Sequence, residues 1–260
     1  HGAHLLQSCA VRSIETQAGR VCGVVTEQGP IQCDQVVLAG GSWSRLFAGN
    51  LGISIPQLKV LATAARVDTL DGRIPALPVA ADNFAFRRRA DGGYTIARSN
   101  ANIAQITTDN FRLFKEFAPA LAKGWRELRV RAGKQLFKDL RVPKRWSNQD
   151  TTPFEQTRIL DPDPAPGLNH EAVRNLSHAF PGFAQCRISH EWAGMIDVTP
   201  DAVPIIGQAG QIDGLFIATG FSGHGFGLGP AAGELIADLV RGVAPRVDPS
   251  PFRFGRFTKK

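Results

Sequence analysis

Residues 220–240 read GFSGHGFGLGPAAGELIADLV, with glycine at 220, 223, 225, 227, 229 and 233. Glycine this dense removes side chains where something must come close to the backbone. The preceding segment, GLFIATG, has the composition of a buried strand, and an apolar helical pattern runs from Pro230 to Arg241. Proline suits the first position of that helix, because its missing N–H would have no helical partner there. The first turn of a helix presents free N–H groups and a partial positive charge. This strand–glycine–helix unit is therefore a seat for a flat or anionic ligand. The bland alternative is a glycine-rich helix cap. The dinucleotide fingerprint GxGxxG is not met. Gly225-x-Gly227-x-x ends on Pro230, and only residues 242–260 follow the helix, too few for the βαβ unit that the fingerprint requires.

The N-terminal end reads as a strand meander: Val11–Ile14, Arg20–Thr26 and Gln35–Leu38, with turns at QAGR and EQGP. The last of these strands runs into Gly40-Gly41. A short helix follows at 42–50, with Ser42 as its expected N-cap. Beyond Pro56, LKVLATAARVDTL, GGYTIARS and ISHEWAGMIDV read as strands. Residues 107–128 are helical in pattern with an expected break at Pro119, residues 141–168 are loop-like, and NHEAVRNLSHAF has helical spacing. No internal repeat is present.

At 260 residues the chain can bury a real core, as one large domain or two small ones. The four cysteines, Cys9, Cys22, Cys33 and Cys186, lack a CxxC pair or zinc-ligand spacing; they read as reduced, buried thiols of an intracellular protein, and no metal is expected. The first ten residues do not have the pattern of a signal peptide, and no window has the long apolar run of a membrane helix. The chain starts at His1 and its one methionine is Met195, so processing or a longer polypeptide is expected. The net charge is +7, much of it in RRRA at 87–90 and between Lys123 and Arg145. Acidic residues interrupt the second cluster and no nucleic-acid motif accompanies it. A solvated face is therefore expected, with an anionic membrane surface, an acidic partner or nucleic acid as the functional alternatives.

The glycine stretch, with DVTPDAVPIIG before it, closely resembles the C-terminal end of the D-amino-acid-oxidase-like flavoproteins, a superfamily that includes sarcosine oxidases, glycine oxidase and D-amino acid dehydrogenases. CAVRSIETQAGRVCGVVTEQGPIQCDQVVLAGGSWS resembles the middle FAD-domain segment of that family, and the region between resembles its substrate domain. The resemblance implies non-covalent FAD held by Val11, Gly40, Gly41 and Trp43 and by Gly220, Phe221, Ser222, Gly223, His224, Gly225, Phe226, Gly227 and Leu228. It implies an α/β fold of mixed character: part of a Rossmann-like FAD-binding domain from residues 1–55 and 196–260, and a substrate domain with mixed or antiparallel sheet and helices from 56–195. It implies oxidation of an amine or amino acid by hydride transfer to flavin N5, giving an imine that water hydrolyses.

The departures from the family pattern are informative. The strand–GxGxxG–helix unit that begins the family is absent, so the chain resembles the C-terminal part of such a protein, and an N-terminal FAD-binding segment is an expected partner. The region before TPD carries no cysteine for covalent flavin. Gly227 stands where sarcosine oxidases place a carboxylate-binding lysine, so a carboxylate would need another cation. Thr95 aligns with a lysine linked to oxygen activation, so a dehydrogenase serving another electron acceptor or a respiratory chain is expected. Arg98, Tyr94 and His224 are the candidate catalytic residues. Arg98 would clamp a carboxylate bidentately, and the other two would hydrogen-bond substrate or flavin. Asp197 and Asp201 read as turn caps. The rival function is a non-catalytic subunit or remnant of the fold, binding no flavin and acting as an interaction module. The expected location is cytoplasmic or peripheral at the inner face of the membrane. Self-association through exposed strand edges is also expected.

Overall fold

The computed structural model describes residues 2–68, 74–124, 128–131 and 133–257. The N-terminal meander is β1 (Val11–Gln17), β2 (Arg20–Thr26) and β3 (Gly29–Gln32), paired antiparallel in that order. A two-residue turn closes the first hairpin, with Ala18 at φ 51° and Gly19 at φ 77°, the backbone hand that matches strand twist. The sequence pattern read Gly29-Pro30 as a turn. It is the start of an edge strand, where proline's missing donor faces outward and costs nothing.

Strand β4 (Val36–Leu38) leads through a 3-10 turn at Gly41–Trp43 into α1 (Ser44–Asn50). Ser42 does not cap this helix. Its hydroxyl donates instead to the Met195 carbonyl at 3.0 Å, and α1 starts two residues later without a side-chain cap.

The large sheet is built on β5 (Leu58–Asp68). Further strands are β6 (Val79–Ala80), β7 (Ala85–Arg88), β8 (Tyr94–Ala97) and β9 (Asn102–Gln105). Helices α2 (Thr108–Arg112) and α3 (Phe114–Gly124) precede β10 (Leu128–Arg131) and α4 (Lys134–Arg141). The break in the 107–128 helical pattern falls at Leu113, and Pro119 lies inside α3. A single turn, α5 (Pro153–Gln156), relieves the loop-like segment, and α6 (Leu168–Ala179) follows. Strand β11 (Arg187–Val198) then pairs antiparallel with the whole of β5, from Leu58 opposite Val198 to Asp68 opposite Arg187. The sheet order is β10-β9-β5-β8-β7-β6, with β11 on the other side of β5. One face of β5 carries Leu61, Thr63, Ala65 and Val67, all buried, as period-two alternation requires. Helix α6 covers this region through Ala172 and Leu176 in a core with Phe86, Tyr94 and Phe183.

The third sheet joins distant parts of the chain. Strand β12 (Ile205–Gln208) pairs antiparallel with β13 (Leu215–Thr219), and β13 pairs parallel with β4. Helix α7 (Gly225–Arg241) packs on it through Ala232 and Leu235 against Ile206. The helix begins five residues before Pro230, which lies in its interior rather than at its first position. There proline withholds the N–H that the Phe226 carbonyl would otherwise receive.

Candidate functional site

One face of α7 is nearly bare. Residues 225, 229, 232, 233 and 236 recur at helical spacing, and four of these five are glycine or alanine. This face forms one wall of a groove of about 480 Å³. The other walls come from the end of β4 (Val37, Ala39), from Gly41, from Met195–Asp197 of β11, and from Ala218, Phe221 and Gly223. A Cβ added at Gly41, Gly229 or Gly233 would meet nothing within 4 Å. These three glycines therefore keep space open that the chain itself does not fill.

The remaining glycines divide by cause. Gly220 has φ 78°, and a Cβ there would collide with Thr199 Cγ2; a Cβ at Gly225 would lie 3.3 Å from Phe221 Cβ. The chain's own packing demands the first, and a Cβ at the second would need Phe221 to give way by a few tenths of an ångström. Ser222 (φ 51°) and Gly223 (φ 87°) form a left-handed pair that turns the chain from β13 into α7. His224 precedes the first helical residue, is exposed, and caps no N–H with its side chain. The N–H groups of Gly225, Phe226 and Gly227 open the helix beside the groove, and none has an intrahelical acceptor. Phe226 and Leu228 are exposed on this first turn.

Three polar side chains, buried Gln57 and Thr219 and half-buried Asp197, hold the loop in place. The Asp197 carboxylate accepts from the Gly220 N–H at 2.7 Å, from Gln57 Nε2 at 2.9 Å and from Thr219 Oγ1 at 3.2 Å. Gln57 Nε2 also reaches the Gly41 carbonyl at 3.1 Å, and the Ser222 N–H donates to the Asp197 carbonyl at 2.9 Å. None of these three residues reads as functional in the sequence, where Asp197 looks like a turn cap. The turn belongs to Thr199 and Asp201: Thr199 Oγ1 donates to Val203 O at 2.8 Å, and Asp201 binds the Val203 N–H and the Arg256 guanidinium.

The structure thus brings Gly41, Phe221, Gly223 and Gly225 to one groove, holds Gly220 and Ser222 against β11, and leaves His224, Phe226, Gly227 and Leu228 at the helix start. Val11 and Trp43 do not line the groove. Val11 packs on the core under the meander, and the Trp43 ring meets Phe154 edge-on at 5.8 Å. Gly40 lies beside the groove and accepts from the Trp43 N–H at 3.0 Å. Tyr94 and Arg98 also lie outside it. Tyr94 is buried with its ring against Phe86 and Phe183, and its hydroxyl donates to the Ile74 carbonyl at 3.3 Å. Arg98 already has a carboxylate: its Nε lies 3.2 Å from Glu171 Oε1, and Arg129 holds the same group at 2.8 Å. The Arg129 hydrogen bond, aided by Arg98, keeps Glu171 at about 2, well below the usual glutamate range. Thr95 accepts from Arg89 Nη1 at 3.2 Å.

The donor set fits an FAD ring: apolar walls, glycine backbone to lie against, and a helix N-terminus for developing negative charge. Residues 1–239 match the family model described as "DAO: FAD dependent oxidoreductase". The chain belongs to this FAD-dependent oxidoreductase family. FAD is the cofactor of the family, and Gly41, Phe221, Gly223, Gly225 and Gly229 line the groove.

A glycine oxidase of Pseudomonas aeruginosa is 26% identical over 249 residues, covering 95% of this chain and 53% of that protein. Among solved structures, the L-amino acid deaminase of Proteus myxofaciens in complex with anthranilate is 38% identical, with a TM-score of 0.90 over 96% of this chain and 56% of that one. The L-amino acid deaminase of Proteus vulgaris is 33% identical, with a TM-score of 0.88 over 95% and 57%. The chain spans about half the length of the curated relatives it matches.

Proposed function

We propose that the full-length protein oxidises the C–N bond of an amino acid, with FAD as the hydride acceptor. The observation that carries this reading is the groove itself, paved by Gly41, Gly229 and Gly233 and flanked by the start of α7, in a chain of the FAD-dependent family. The relatives named glycine oxidase, D-amino acid dehydrogenase and L-amino acid deaminase favour an amino acid over a simple amine. When bound, the flavin supplies the two-electron acceptor. The chain's own part is to exclude water with Val37, Ala39 and Ile196, to seat the ring on bare backbone, and to set the α7 dipole toward charge that develops during the reaction. The division into residues 1–55 with 196–260 for the cofactor, and 56–195 for the substrate, accords with β13 pairing with β4.

Among the described residues the groove wall carries no lysine or arginine. Superoxide-like charge would find little stabilisation there, which favours an acceptor other than oxygen. The test is reoxidation of the substrate-reduced protein: fast transfer to a quinone or dye and slow reaction with air are expected. A colourless full-length protein that takes up no FAD would favour the non-catalytic reading instead.

We also infer a peripheral location at an anionic membrane. No helix among the described residues is long and apolar enough to cross a membrane. Phe111, Phe114, Phe137 and Leu140 are nevertheless exposed on α2, α3 and α4, among Arg112, Lys115, Lys138 and Arg141. Co-sedimentation with vesicles containing phosphatidylglycerol, lost in pure phosphatidylcholine, is the expected result; no difference between the two contradicts it.

A further inference from the structure

We propose that Asp197 is a positioning residue for the flavin, acting through a buried clasp with Gln57 and Thr219. The inference rests on the flavin reading above and goes beyond it by assigning the residues that fix the two backbones facing the ring. Gln57 and Thr219 are 2% and 0% exposed and Asp197 is half-buried, so the side of the clasp away from the groove is dry, and the Gln57 and Thr219 polar atoms must find partners within the protein. Its members come from four separated places: Gly41 after β4, Gln57 before β5, Asp197 near the end of β11, and Thr219-Gly220 at the end of β13. The Arg45 N–H donates to Gln57 Oε1 at 3.1 Å, which orients the amide so that Nε2 meets Asp197. Nε2 and Thr219 Oγ1 both also lie within reach of the Gly41 carbonyl, at 3.1 and 3.2 Å.

One carboxylate oxygen, Oδ2, thus accepts from the Gly220 N–H and Gln57 Nε2 and shares the single Thr219 hydroxyl proton with the Gly41 carbonyl, while Oδ1 has no hydrogen-bond partner among the described residues and Asp197 itself lines the groove. A purely structural clasp needs no charge, because an amide could accept the same bonds. A carboxylate on the groove wall does two things at once. It tightens the Gly220 N–H bond that sets the entry into α7, and it places a fixed negative charge beside the ring.

The test uses the full-length protein with Asp197→Ala, Asp197→Asn and Thr219→Val. In Asp197→Ala the FAD dissociation constant should rise by about ten- to a hundredfold, the range for loss of a hydrogen bond to a charged group. Hydrogen exchange at the Gly220 amide should quicken even in the FAD-free protein. Asp197→Asn should recover most of the affinity, yet its flavin midpoint potential should move upward, because reduced anionic flavin no longer faces a fixed negative charge. Thr219→Val keeps the shape and should show a smaller loss of affinity, which carries the test if Asp197→Ala fails to fold. Wild-type protein that loads FAD, with variants matching it in affinity and potential, overturns this inference alone. Wild-type protein that takes up no FAD overturns the flavin reading and this inference with it.

Discussion

The aromatic core under the large sheet and the glycine groove under α7 are built from opposite materials. In the core, Phe86, Tyr94, Phe180 and Phe183 meet with ring centroids 5.2–6.0 Å apart, and Phe183 is fully buried. In the groove, Gly41, Gly229 and Gly233 face open space. Tyr94, with its hydroxyl, belongs to the core, and the glycines that pave the groove have no side chains at all. Stability and cofactor binding are therefore separable in this molecule, and substitutions in the two regions should have different readouts.

The largest effect on stability is expected at Phe183. Phe183→Ala empties a site that touches both Phe86 and Tyr94 and should cost about 3–5 kcal/mol in denaturant unfolding. FAD affinity of the fraction that remains folded should not change. Gly229→Leu should do the reverse. It fills the groove from a helical position, where replacing glycine also removes backbone freedom from the unfolded chain, so the melting temperature should hold or rise. FAD affinity should fall about a hundredfold or more, equivalent to ~2.7 kcal/mol. If Gly229→Leu binds FAD normally, the groove is not the ring's seat.

An intermediate effect is expected at Arg98. Its ion pair joins the end of β8 to α6, so Arg98→Ala should lower stability by about 1 kcal/mol and leave KM for an amino acid unchanged. A KM rise of tenfold or more with stability intact would restore it as the carboxylate clamp.

Acid pH should act on the ion-paired regions as well. The Arg12 hydrogen bond holds Glu155 at about 2, and Arg129 with Arg98 holds Glu171 at about 2, against an ordinary 4.5. Both values are depressed, so the pairs stabilise the fold above pH 4.5, and that contribution is lost as the pH falls toward 2. Thermal melts from pH 6 to pH 2 should show the loss, and Glu155→Gln should flatten the curve. Tyr94→Phe, which removes one hydrogen bond to a buried carbonyl, should cost a similar amount to Arg98→Ala, about 1 kcal/mol, without altering turnover.

What the sequence disclosed follows from how local each signal was. The β5, β11 and β13 strands were legible because their apolar patterns are local, and so was the glycine unit. The start of α7 was not, because Pro230 suggests a helix start and the real one is set by the turn at Ser222-Gly223. Ser42 has the chemistry of a cap, yet its hydroxyl goes to Met195, which lies 153 residues away. The clasp was hidden for the same reason: Gln57 meets Asp197 across 140 residues and Thr219 across 162. Arg98 was legible as a cation but not as a committed one, since Glu171 lies 73 residues along. Density of glycine pointed to the groove, whereas only the fold shows that Gly220 serves the chain's packing and that Gly229 and Gly233 face the open groove.

Titration of the full-length protein with FAD, followed by flavin fluorescence for wild type and Gly229→Leu, tests the groove most directly. Saturable, stoichiometric quenching by wild type, binding weakened about a hundredfold or more in Gly229→Leu, and a melting temperature of the FAD-free variant no lower than that of wild type are the expected results. Equal binding by both, or binding by neither, would contradict the assignment of the groove to the flavin.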